Sequence, residues 1–492
     1  MKVGNVRIRA RWLHYLLLFI GIVVLFYVVE GIGLQNKQII QVVMKGCIFL
    51  SIVTLLFEKK GESMSAQLIS IVVFIGLVMR IGYMLYTPSY VRGHDMWEIS
   101  PESKGHYAYM LQVFLGKLPQ SNEIQFYHPP FFYWLSSILM KGYGFLRGQV
   151  NLVELVEASK IVSCFASCMT LLLSKEICEE LGLKVKSTLI TLSVVAFLPS
   201  FYLLAGRANN DSLAVAFSIM AIGYTIKWYK NSTYKNSIGL ALAFGLGMMT
   251  KMSVGVLAFF TGYLMLYKLF GKEYKTIRKE VFRQLTLFAT ICFPLALWFP
   301  IRNFILFKQP LNYVYDVGKN VNMNCSDYSL FERFLNFPLY ELLEKNPYAN
   351  PWQDCNTVMY LIKTAIFGEF TYMIEPLIAK GLLITTTALT LGVLGSGIWL
   401  LWKEKTMTKF MKWSLLGLIG VYYLSYIWFN MKYPYGCTMD FRYIVPLALV
   451  AGLVLGLTYE KVTHKIYRLF IGGNLIAFFA FSVSMYTSIN LV

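Results

Sequence analysis

Long apolar segments separated by short polar ones run along the whole chain. A helix needs about 20 mainly apolar residues to cross the hydrocarbon core of a bilayer. A shorter, Gly-rich segment ends directly before Lys251 and is counted with the longer ones. The candidate spans are 12–30, 39–57, 66–86, 158–175, 187–205, 211–229, 236–250, 252–270, 284–306, 381–402, 412–431, 441–459 and 467–486. The pattern predicts an all-α polytopic membrane protein, a bundle of about 13 transmembrane helices.

One further segment, 128–146, is apolar enough to span but begins with His-Pro-Pro and breaks at Lys141-Gly142. The basic residues decide between the two topologies, because Lys and Arg concentrate in cytoplasmic loops. If 128–146 does not cross, the cytoplasmic segments hold 25 basic and 9 acidic side chains. If it crosses, every later loop changes side, and the basic stretches 268–283 and 403–412 move outside. The sequence therefore favours a segment that lies on the membrane or re-enters it.

This topology places two long loops, 87–157 and 307–380, outside the cell. It predicts a multi-pass cell-membrane protein with a cytoplasmic N-terminus, an extracytoplasmic C-terminus and juxtamembrane helices in the first outer loop. We expect residues 1–65 to form a helical hairpin added to the core and 461–492 to form a C-terminal transmembrane helix.

Composition agrees with this class. The 492 residues are 57% hydrophobic and 14% charged, whereas soluble chains carry about 25% charged residues. This excludes a soluble multidomain enzyme, a disordered chain and a fibrous one. A net charge of +19 would suggest a nucleic-acid partner in a soluble protein. Here most of the excess lies in the cytoplasmic loops, so we expect membrane lipids and no nucleic acid as partners.

Eight cysteines in a chain of this length do not form a disulfide framework. Cys325 and Cys355 both fall in the second outer loop and could pair, or both could be free thiols. Cys437 lies on the same side, so other pairings stay open.

The first outer loop concentrates groups that could carry chemistry: His94, His106, His128, Asp95, Glu98 and Glu102. Carboxylates beside imidazoles suit general acid–base catalysis or a divalent metal. Asp95 with His94 could hold such a cation, although no ligand spacing requires one. A solvated loop with an interfacial aromatic belt explains the same composition without any function.

Polar and basic residues gather at the outer ends of several predicted helices. The sequence GRANNDSLA contributes Arg207, Asn210 and Asp211, and four basic residues converge on this face in all: Arg207, Lys251, Arg302 and Arg442. Asn210 or Asp211 could simply cap a helix, and a single Arg at a helix end is usually an interfacial anchor. Several cations on one face could instead bind a lipid phosphate or pyrophosphate.

The order of these motifs resembles the GT-C glycosyltransferases, in particular the family 39-like group of protein mannosyltransferases and lipid A aminoarabinose transferases. The motifs are HDMW (94–97), GHYAYMLQVFLGKLP (105–119), FYHPPFFYWL (126–135), GRANNDSLA (206–214), GLGMMTKMS (245–253), WFPIRN (298–303) and DFRYIVP (440–446). The resemblance covers roughly residues 66–460 and implies a catalytic transmembrane domain of the GT-C type there.

The resemblance implies transfer of a sugar from a polyprenyl-phosphate donor to a lipid, glycan or protein acceptor at the outer face, with inversion at the anomeric carbon. Many members have an Asp-Glu pair just before the aromatic helix of the first outer loop, where this chain offers only Glu102, while Asp95 lies earlier beside His94. Asp95 would therefore be the first candidate for the base and Glu102 the second. The expected substrate-binding residues are His94, His106, Tyr109, His128, Arg207, Asn210, Asp211, Lys251, Arg302 and Arg442. One base and a cationic phosphate site suffice for this chemistry, since the leaving phosphate needs no proton.

The alternative is a transporter or flippase of lipid-linked sugars. Transporters place charged groups near the middle of the bilayer, and Arg80, inside the third predicted helix, points in that direction. The clustering of polar residues at one face favours the enzyme. A structural or assembly role would not explain the carboxylates and histidines opposite basic residues.

Overall fold

The computed structural model describes residues 2–33, 37–57, 62–91, 93, 95–318, 321, 323–344, 355–368, 375–405, 407 and 409–488. These residues form α-helices joined by short turns, with two isolated β-bridges and no longer strand among them. The helices are α1 (Lys2–Ile32), α2 (Lys37–Phe57), α3 (Glu62–Tyr86), α4 (Gly105–Phe114), α5 (Phe131–Arg147), α6 (Leu152–Glu157), α7 (Lys160–Glu180), α8 (Val185–Phe197), α9 (Pro199–Ala205), α10 (Asp211–Lys230), α11 (Tyr234–Thr250), α12 (Leu257–Phe270), α13 (Arg278–Phe307), α14 (Leu330–Phe334), α15 (Leu339–Glu344), α16 (Thr357–Phe367), α17 (Pro376–Trp402), α18 (Lys409–Lys432), α19 (Leu447–Lys461) and α20 (Lys465–Ser488).

The all-α polytopic fold is confirmed. Within the described residues, eight helices are long and apolar enough to cross a membrane, or nine if the bent pair α8 and α9 is one span. The other four predicted spans are also helical, but α11 and α19 have only 17 and 15 residues, α10 carries Asp211, Lys227 and Lys230, and the apolar part of α2 is Gln38–Thr54. The count of 13 therefore stays a prediction, as does the terminal orientation.

The predicted span 187–205 is a broken helix. Pro199 begins α9, and the two helices meet at an angle of 49°. Because proline has no backbone N–H, it cannot donate to the carbonyl oxygen of Val195. Arg80 of α3 replaces that donor: its guanidinium donates to Val195 O at 2.8 Å and to Ala196 O at 3.1 Å.

The remaining donors of Arg80 are also used. Its Nη1 donates to Gly76 O at 2.8 Å, and its Nε lies 3.2 and 3.1 Å from the backbone oxygen and Oγ of Ser167 in α7. The side chain is completely buried. Arg80 therefore joins α3 and α7 to the break between α8 and α9, and this structural role accounts for a charge inside the membrane.

The start of the first outer loop is fixed by a buried ion pair between Glu157 and Lys160. Lys160 Nζ donates to the carbonyl oxygens of Met84 at 3.1 Å and Thr87 at 2.9 Å, at the end of α3. Glu157 accepts from the backbone N–H of Ser89 at 2.8 Å and from its hydroxyl at 2.5 Å. The chain that leaves α3 toward Asp95 is thus bound to the α6–α7 junction.

The second outer loop is joined to the turn before α19. Cys325 and Cys355 form a disulfide, so the structure selects one of the pairings that the sequence left open, and Cys437 takes no part in it. The backbone N–H of Cys325 donates to Pro434 O at 2.7 Å, and that of Gly436 donates to Met323 O at 2.8 Å. This connection holds the segment that leads into DFRYIVP.

Candidate active site

Asp95 lies in a turn that brings it against the start of α4. Its φ is +50°, and that of Gly105 is +83°. The backbone N–H of His106 donates to Asp95 O at 3.1 Å, and a Cβ atom on Gly105 would lie 2.1 Å from that oxygen. Only glycine fits here. The Asp95 carboxylate accepts a 2.6 Å hydrogen bond from Gln125 Nε2, so both backbone and side chain are held by the loop.

Four aromatic side chains of the first outer loop form a buried stack beside this turn: His106 and Tyr109 from α4, His128, and Tyr133 from α5. His106 Nδ1 and the Tyr133 hydroxyl are 2.9 Å apart, and Tyr109 donates from its hydroxyl to His128 O at 2.9 Å. The rings of Tyr109 and Tyr133 stack with centroids 3.7 Å apart, and those of His106 and His128 are parallel at 6.3 Å. The stack fixes α4 against α5.

A second polar group comes from the turn between α9 and α10. Asp211 at the start of α10 pairs with Lys251 and accepts a 3.1 Å hydrogen bond from Asn209 Nδ2. Asn210 Nδ2 donates to Thr250 O at 3.2 Å, which ties the start of α10 to the end of α11. Lys251 stands between α11 and a 3-10 turn, so its backbone leaves the helix where its ammonium group meets Asp211.

The third group comes from the turn before α19. Asp440 Oδ1 accepts from the backbone N–H of Arg442 at 2.6 Å. Arg442 and Lys251 each lie 5.2 Å from the centroid of the Tyr443 ring. Two cations from distant parts of the chain therefore share one aromatic ring.

Arg207 is 5% exposed and lies next to this group. With Asp440 and Arg442 it lines a cavity of about 10 Å³, which Ser200 and Thr364 also line. That volume holds about one water molecule. The cavity joins the α9–α10 turn to the turn before α19.

Electrostatics link the three groups. The pKa of His106 is lowered to about 3, mainly by burial; Asp211 opposes this shift, and the charges of Lys251 and Arg442 add to it. Burial likewise lowers the pKa of His128, and Lys251 contributes. Both imidazoles are therefore neutral at pH 7 and weaker bases than an ordinary histidine.

Tyr127 and Tyr133 lie beside the two histidines, and nearby charged groups act on their pKa values too. Burial raises the pKa of Tyr127, with contributions from Tyr443 and Asp95. Burial also raises the pKa of Tyr133, and Asp211 and Asp95 contribute. Asp95 and Asp211 thus act on both tyrosines, and Arg442 acts on Tyr127 as well.

The structure brings most of the expected site residues together: Asp95, His106, Tyr109, His128, Arg207, Asp211, Lys251 and Arg442. Asn210 lies at the edge of this group, where its side chain donates a hydrogen bond to Thr250 O. Arg302 lies near the C-terminal end of α13, where it donates to Pro119 O at 2.8 Å, and its charge lowers the pKa of Tyr109 against the larger effect of burial.

Two expected residues lie elsewhere or are not described. Glu102 is exposed on the turn before α4, and its hydrogen bond with Ser100 lowers the pKa of its carboxyl group. It is not among the groups that surround the histidines. His94 lies outside the described residues.

Sequence reasoning missed Gln125, Tyr127, Tyr133 and Tyr443, which contact or surround the charged groups. The three tyrosines lie within motifs that the sequence had already singled out: Tyr127 and Tyr133 in FYHPPFFYWL, and Tyr443 in DFRYIVP. Gln125 directly precedes the first of these motifs. An interfacial aromatic belt explains such residues equally well from sequence alone.

The divalent cation considered from the sequence is not tested by the structure. No three His, Cys, Asp or Glu side chains among the described residues approach one another closely enough to hold a metal ion. His94, expected beside Asp95 at such a site, belongs to the part of the chain that is not described. The cation stays a prediction.

The comparisons with known proteins agree with the class that the motifs indicated. Residues 127–298 match the family model of dolichyl-phosphate-mannose-protein mannosyltransferases. The matched segment contains α5, the turn between α9 and α10, and Lys251. The matched family is the protein mannosyltransferase group, over about a third of the chain. No curated protein sequence matches the chain.

Several solved structures are similar to the chain at low sequence identity. They include the Saccharomyces cerevisiae protein O-mannosyltransferase complex Pmt1–Pmt2 bound to the sugar donor (15% identity, TM-score 0.37, 53% of this chain and 35% of that chain). The Archaeoglobus fulgidus oligosaccharyltransferase has 11% identity and a TM-score of 0.46 over 87% of this chain and 55% of that chain. ArnT from Cupriavidus metallidurans in the apo state has 11% identity and a TM-score of 0.38 over 85% and 77%. The chain thus spans about a third of the yeast chain and about half of the archaeal one.

Proposed function

We propose that this protein transfers a sugar from a polyprenyl-phosphate-linked donor to a cell-envelope acceptor at the extracytoplasmic face, with inversion at the anomeric carbon. The matched family, dolichyl-phosphate-mannose-protein mannosyltransferase, is named for a donor of this chemistry. The donor class, the face of the membrane and the stereochemistry are all part of the proposal.

One observation carries the proposal most. The Asp95 carboxylate of the first outer loop and the Arg442 cation both act on the Tyr127 side chain. Lys251 and Arg442 both act on the neighbouring His106 and His128. Transfer from a sugar phosphate needs both: a base for the attacking group and positive charge for the departing phosphate. Asp95 is the base in our proposal, and Lys251 and Arg442 receive the phosphate, with Arg207 behind them.

The reaction then runs in one displacement. The acceptor nucleophile attacks the anomeric carbon and loses its proton to the Asp95 carboxylate. The bond between that carbon and the phosphate oxygen breaks, and the oxygen keeps the electron pair. Lys251 and Arg442 stabilise the extra negative charge on the departing polyprenyl phosphate. Asp211 holds the ammonium group of Lys251 in place.

The flippase alternative loses its main support in the structure. Arg80 was the feature that favoured it, and each of its three guanidinium nitrogens donates to protein oxygens around the break between α8 and α9. A charge whose donors are satisfied in this way is explained by helix packing. The polar groups at the outer ends of helices remain, and these suit an enzyme.

The proposal predicts that Asp95→Asn abolishes transfer. Asparagine keeps an oxygen for the Gln125 hydrogen bond but cannot take a proton, so the turnover number should fall about 100-fold or more, as expected when a general base is lost. Purified protein is incubated with labelled polyprenyl-phosphate sugar and membrane extract, and release of polyprenyl phosphate is measured.

Glu98→Gln is the matched control, since it removes an exposed carboxylate three residues away on the same loop. It should turn over like the wild type. Wild-type turnover by Asp95→Asn would contradict the assignment of the base. Movement of the intact donor between leaflets, with no consumption of it, would contradict the glycosyltransferase itself and favour the flippase.

A further inference from the structure

An exposed apolar segment, residues 329–344, lies in the second outer loop and contains α14 and α15. Six of its large side chains are between 39% and 76% exposed: Leu330, Phe331, Leu335, Phe337, Leu339 and Tyr340. The charged side chain of Arg333 is instead only 5% exposed. A loop that faces water normally shows the opposite distribution, with its charged groups outside and its large apolar groups packed inside.

Hydrogen bonds hold this arrangement from the inner side of the segment. Arg333 Nη2 donates to Asn430 O in α18 at 2.6 Å. The side-chain amide of Asn356 donates to Glu332 O at 2.7 Å and to Asn336 O at 2.6 Å. The segment is thus bound to the bundle through its backbone and Arg333, while the six apolar side chains remain on its exposed surface.

The end of α18 shows the depth at which α14 lies. Asn430, the partner of Arg333, is two residues before the end of that helix, where Trp428 is 57% and Met431 53% exposed. Lys432 Nζ lies 5.3 Å from the centroid of the Trp428 ring. A Trp beside a Lys at the end of an apolar helix is typical of the boundary between membrane and water. The contact of Arg333 therefore places α14 at that boundary.

The other end of the segment is attached in a similar way. Lys380 Nζ, in the second turn of α17, donates to Glu344 at 2.8 Å. Leu377, one turn earlier in that helix, is 75% exposed. Both α17 and α18 are long and apolar enough to cross a membrane. The segment is therefore attached to the ends of two membrane spans, and its exposed apolar side chains lie at the membrane surface.

The charges of the segment exclude attraction by anionic headgroups as the force that holds it there. Residues 329–344 contain three acidic side chains, Glu332, Glu341 and Glu344, and one basic side chain, Arg333, which is buried. Binding of such a segment to a membrane depends on burial of its apolar side chains. It therefore needs no anionic lipid.

We propose that residues 329–344 insert into the lipid leaflet at this end of the bundle. Leu335 and Tyr340, the most exposed of the six side chains, reach below the lipid headgroups. The insertion anchors the second outer loop, which holds the turn before α19 through the backbone hydrogen bonds of Cys325 and Gly436. The inference goes beyond the proposed function and does not depend on it.

The test is electron paramagnetic resonance of the full-length protein, carrying one nitroxide label, in phosphatidylcholine bilayers. Leu335→Cys and Tyr340→Cys are labelled separately in a background in which the half-buried free cysteines Cys47 and Cys437 are replaced by serine. Oxygen concentrates among the acyl chains, whereas a nickel chelate stays in water. We expect oxygen to relax both labels more strongly than nickel, at a depth of about 5–10 Å within the boundary between headgroups and acyl chains.

Asp327→Cys is the matched control, because Asp327 is exposed in the turn before α14 and lies outside the apolar segment. A label at this position should be relaxed more strongly by the nickel chelate. Equal melting temperatures show that each variant is folded, and peptide mapping shows that the disulfide between Cys325 and Cys355 is intact.

Two results would overturn the proposal. If the nickel chelate reaches positions 335 and 340 as readily as position 327, the apolar face lies in water. If neither oxygen nor nickel reaches positions 335 and 340, protein covers the face in place of lipid. Dipolar coupling between the labels of two molecules would then identify a second copy of the chain as the occupant.

Discussion

His106 and His128 lie in a stack of aromatic side chains, where burial lowers the pKa of both imidazoles. From sequence, a histidine next to carboxylates is a natural acid–base candidate. In the structure, the surroundings of His106 keep it neutral, and its Nδ1 is used on the Tyr133 hydroxyl. The two histidines therefore shape the wall of the site, and Asp95 carries the negative charge near it.

This burial predicts a pH dependence of stability. The pKa of His106 is about 3 in the folded protein and about 6.5 when unfolded. Between these values the unfolded chain binds a proton that the folded protein does not, so stability is fully present above pH 6.5 and falls as the pH drops toward 3. His106→Gln should flatten this dependence. The measurement is the melting temperature of purified protein from pH 7.5 downward.

His464→Gln is the control for this prediction. His464 is exposed directly before α20, so its replacement should leave the pH dependence of the melting temperature unchanged. His128 remains in His106→Gln and should keep part of the slope. Identical slopes for wild type and His106→Gln would show that His106 does not hold its low pKa.

The break between α8 and α9 shows how an element can depend on a distant residue. Composition predicts one continuous span over 187–205, and Pro199 is the only local sign of a break. The broken backbone is tolerated because α3 supplies Arg80, α7 supplies Ser167, and α20 supplies Ser482, whose hydroxyl donates to Phe197 O at 2.5 Å. In a membrane such partners are necessary, since water is not available to the freed carbonyls.

Replacing Arg80 should therefore destabilise the bundle strongly. Arg80→Met leaves the carbonyl oxygens of Val195 and Ala196 without these donors, and we expect a loss of about 3 kcal/mol or more in the free energy of unfolding. Denaturant titration in detergent measures it. Restoring a backbone donor with Pro199→Ala in the Arg80→Met background should recover part of the loss.

Arg283→Met serves as the comparison, because Arg283 forms an exposed ion pair with Glu280, and such a pair should contribute little. Equal stability of Arg80→Met and the wild type would mean that the hydrogen bonds of Arg80 do not support the break. Its intramembrane charge would then need another explanation.

At the scale of the whole molecule, the site is assembled from segments far apart in sequence. The first outer loop brings Asp95, the α9–α10 turn brings Asp211, and the turn before α19 brings Arg442. Each segment has its own attachment: the Glu157–Lys160 pair for the first, Asn210 to Thr250 for the second, and the disulfide-bonded second outer loop for the third. The packing of the bundle brings the three attached segments together.

The disulfide predicts both stability and sidedness. Replacing both cysteines by serine frees a loop closed over 30 residues and should reduce the free energy of unfolding by about 3 kcal/mol. Because the loop holds the turn that carries Arg442, donor affinity should fall as well. Cys437→Ser, which removes a thiol outside the disulfide, should do neither.

The sidedness follows from the predicted topology. After mild reduction of intact cells with a membrane-impermeant reductant, an impermeant maleimide should label Cys325 and Cys355 if the second outer loop faces outward. Labelling that requires permeabilised cells would reverse the orientation inferred from the basic loops. It would place the proposed site on the cytoplasmic face.

The sequence by itself determined the class of fold and most of the site's members. A transmembrane helix needs a continuous run of about 20 mainly apolar residues, so the apolar runs specify the helices locally. The polar residues at the ends of these runs stand out against that background. The motifs therefore indicate Asp95, Asp211, Lys251 and Arg442 through local pattern alone. Only the tertiary structure decided which of these residues meet, since that depends on how distant helices pack. It set Glu102 apart, used Arg80 to close a broken helix, paired Cys325 with Cys355, and left the apolar side chains of residues 329–344 exposed.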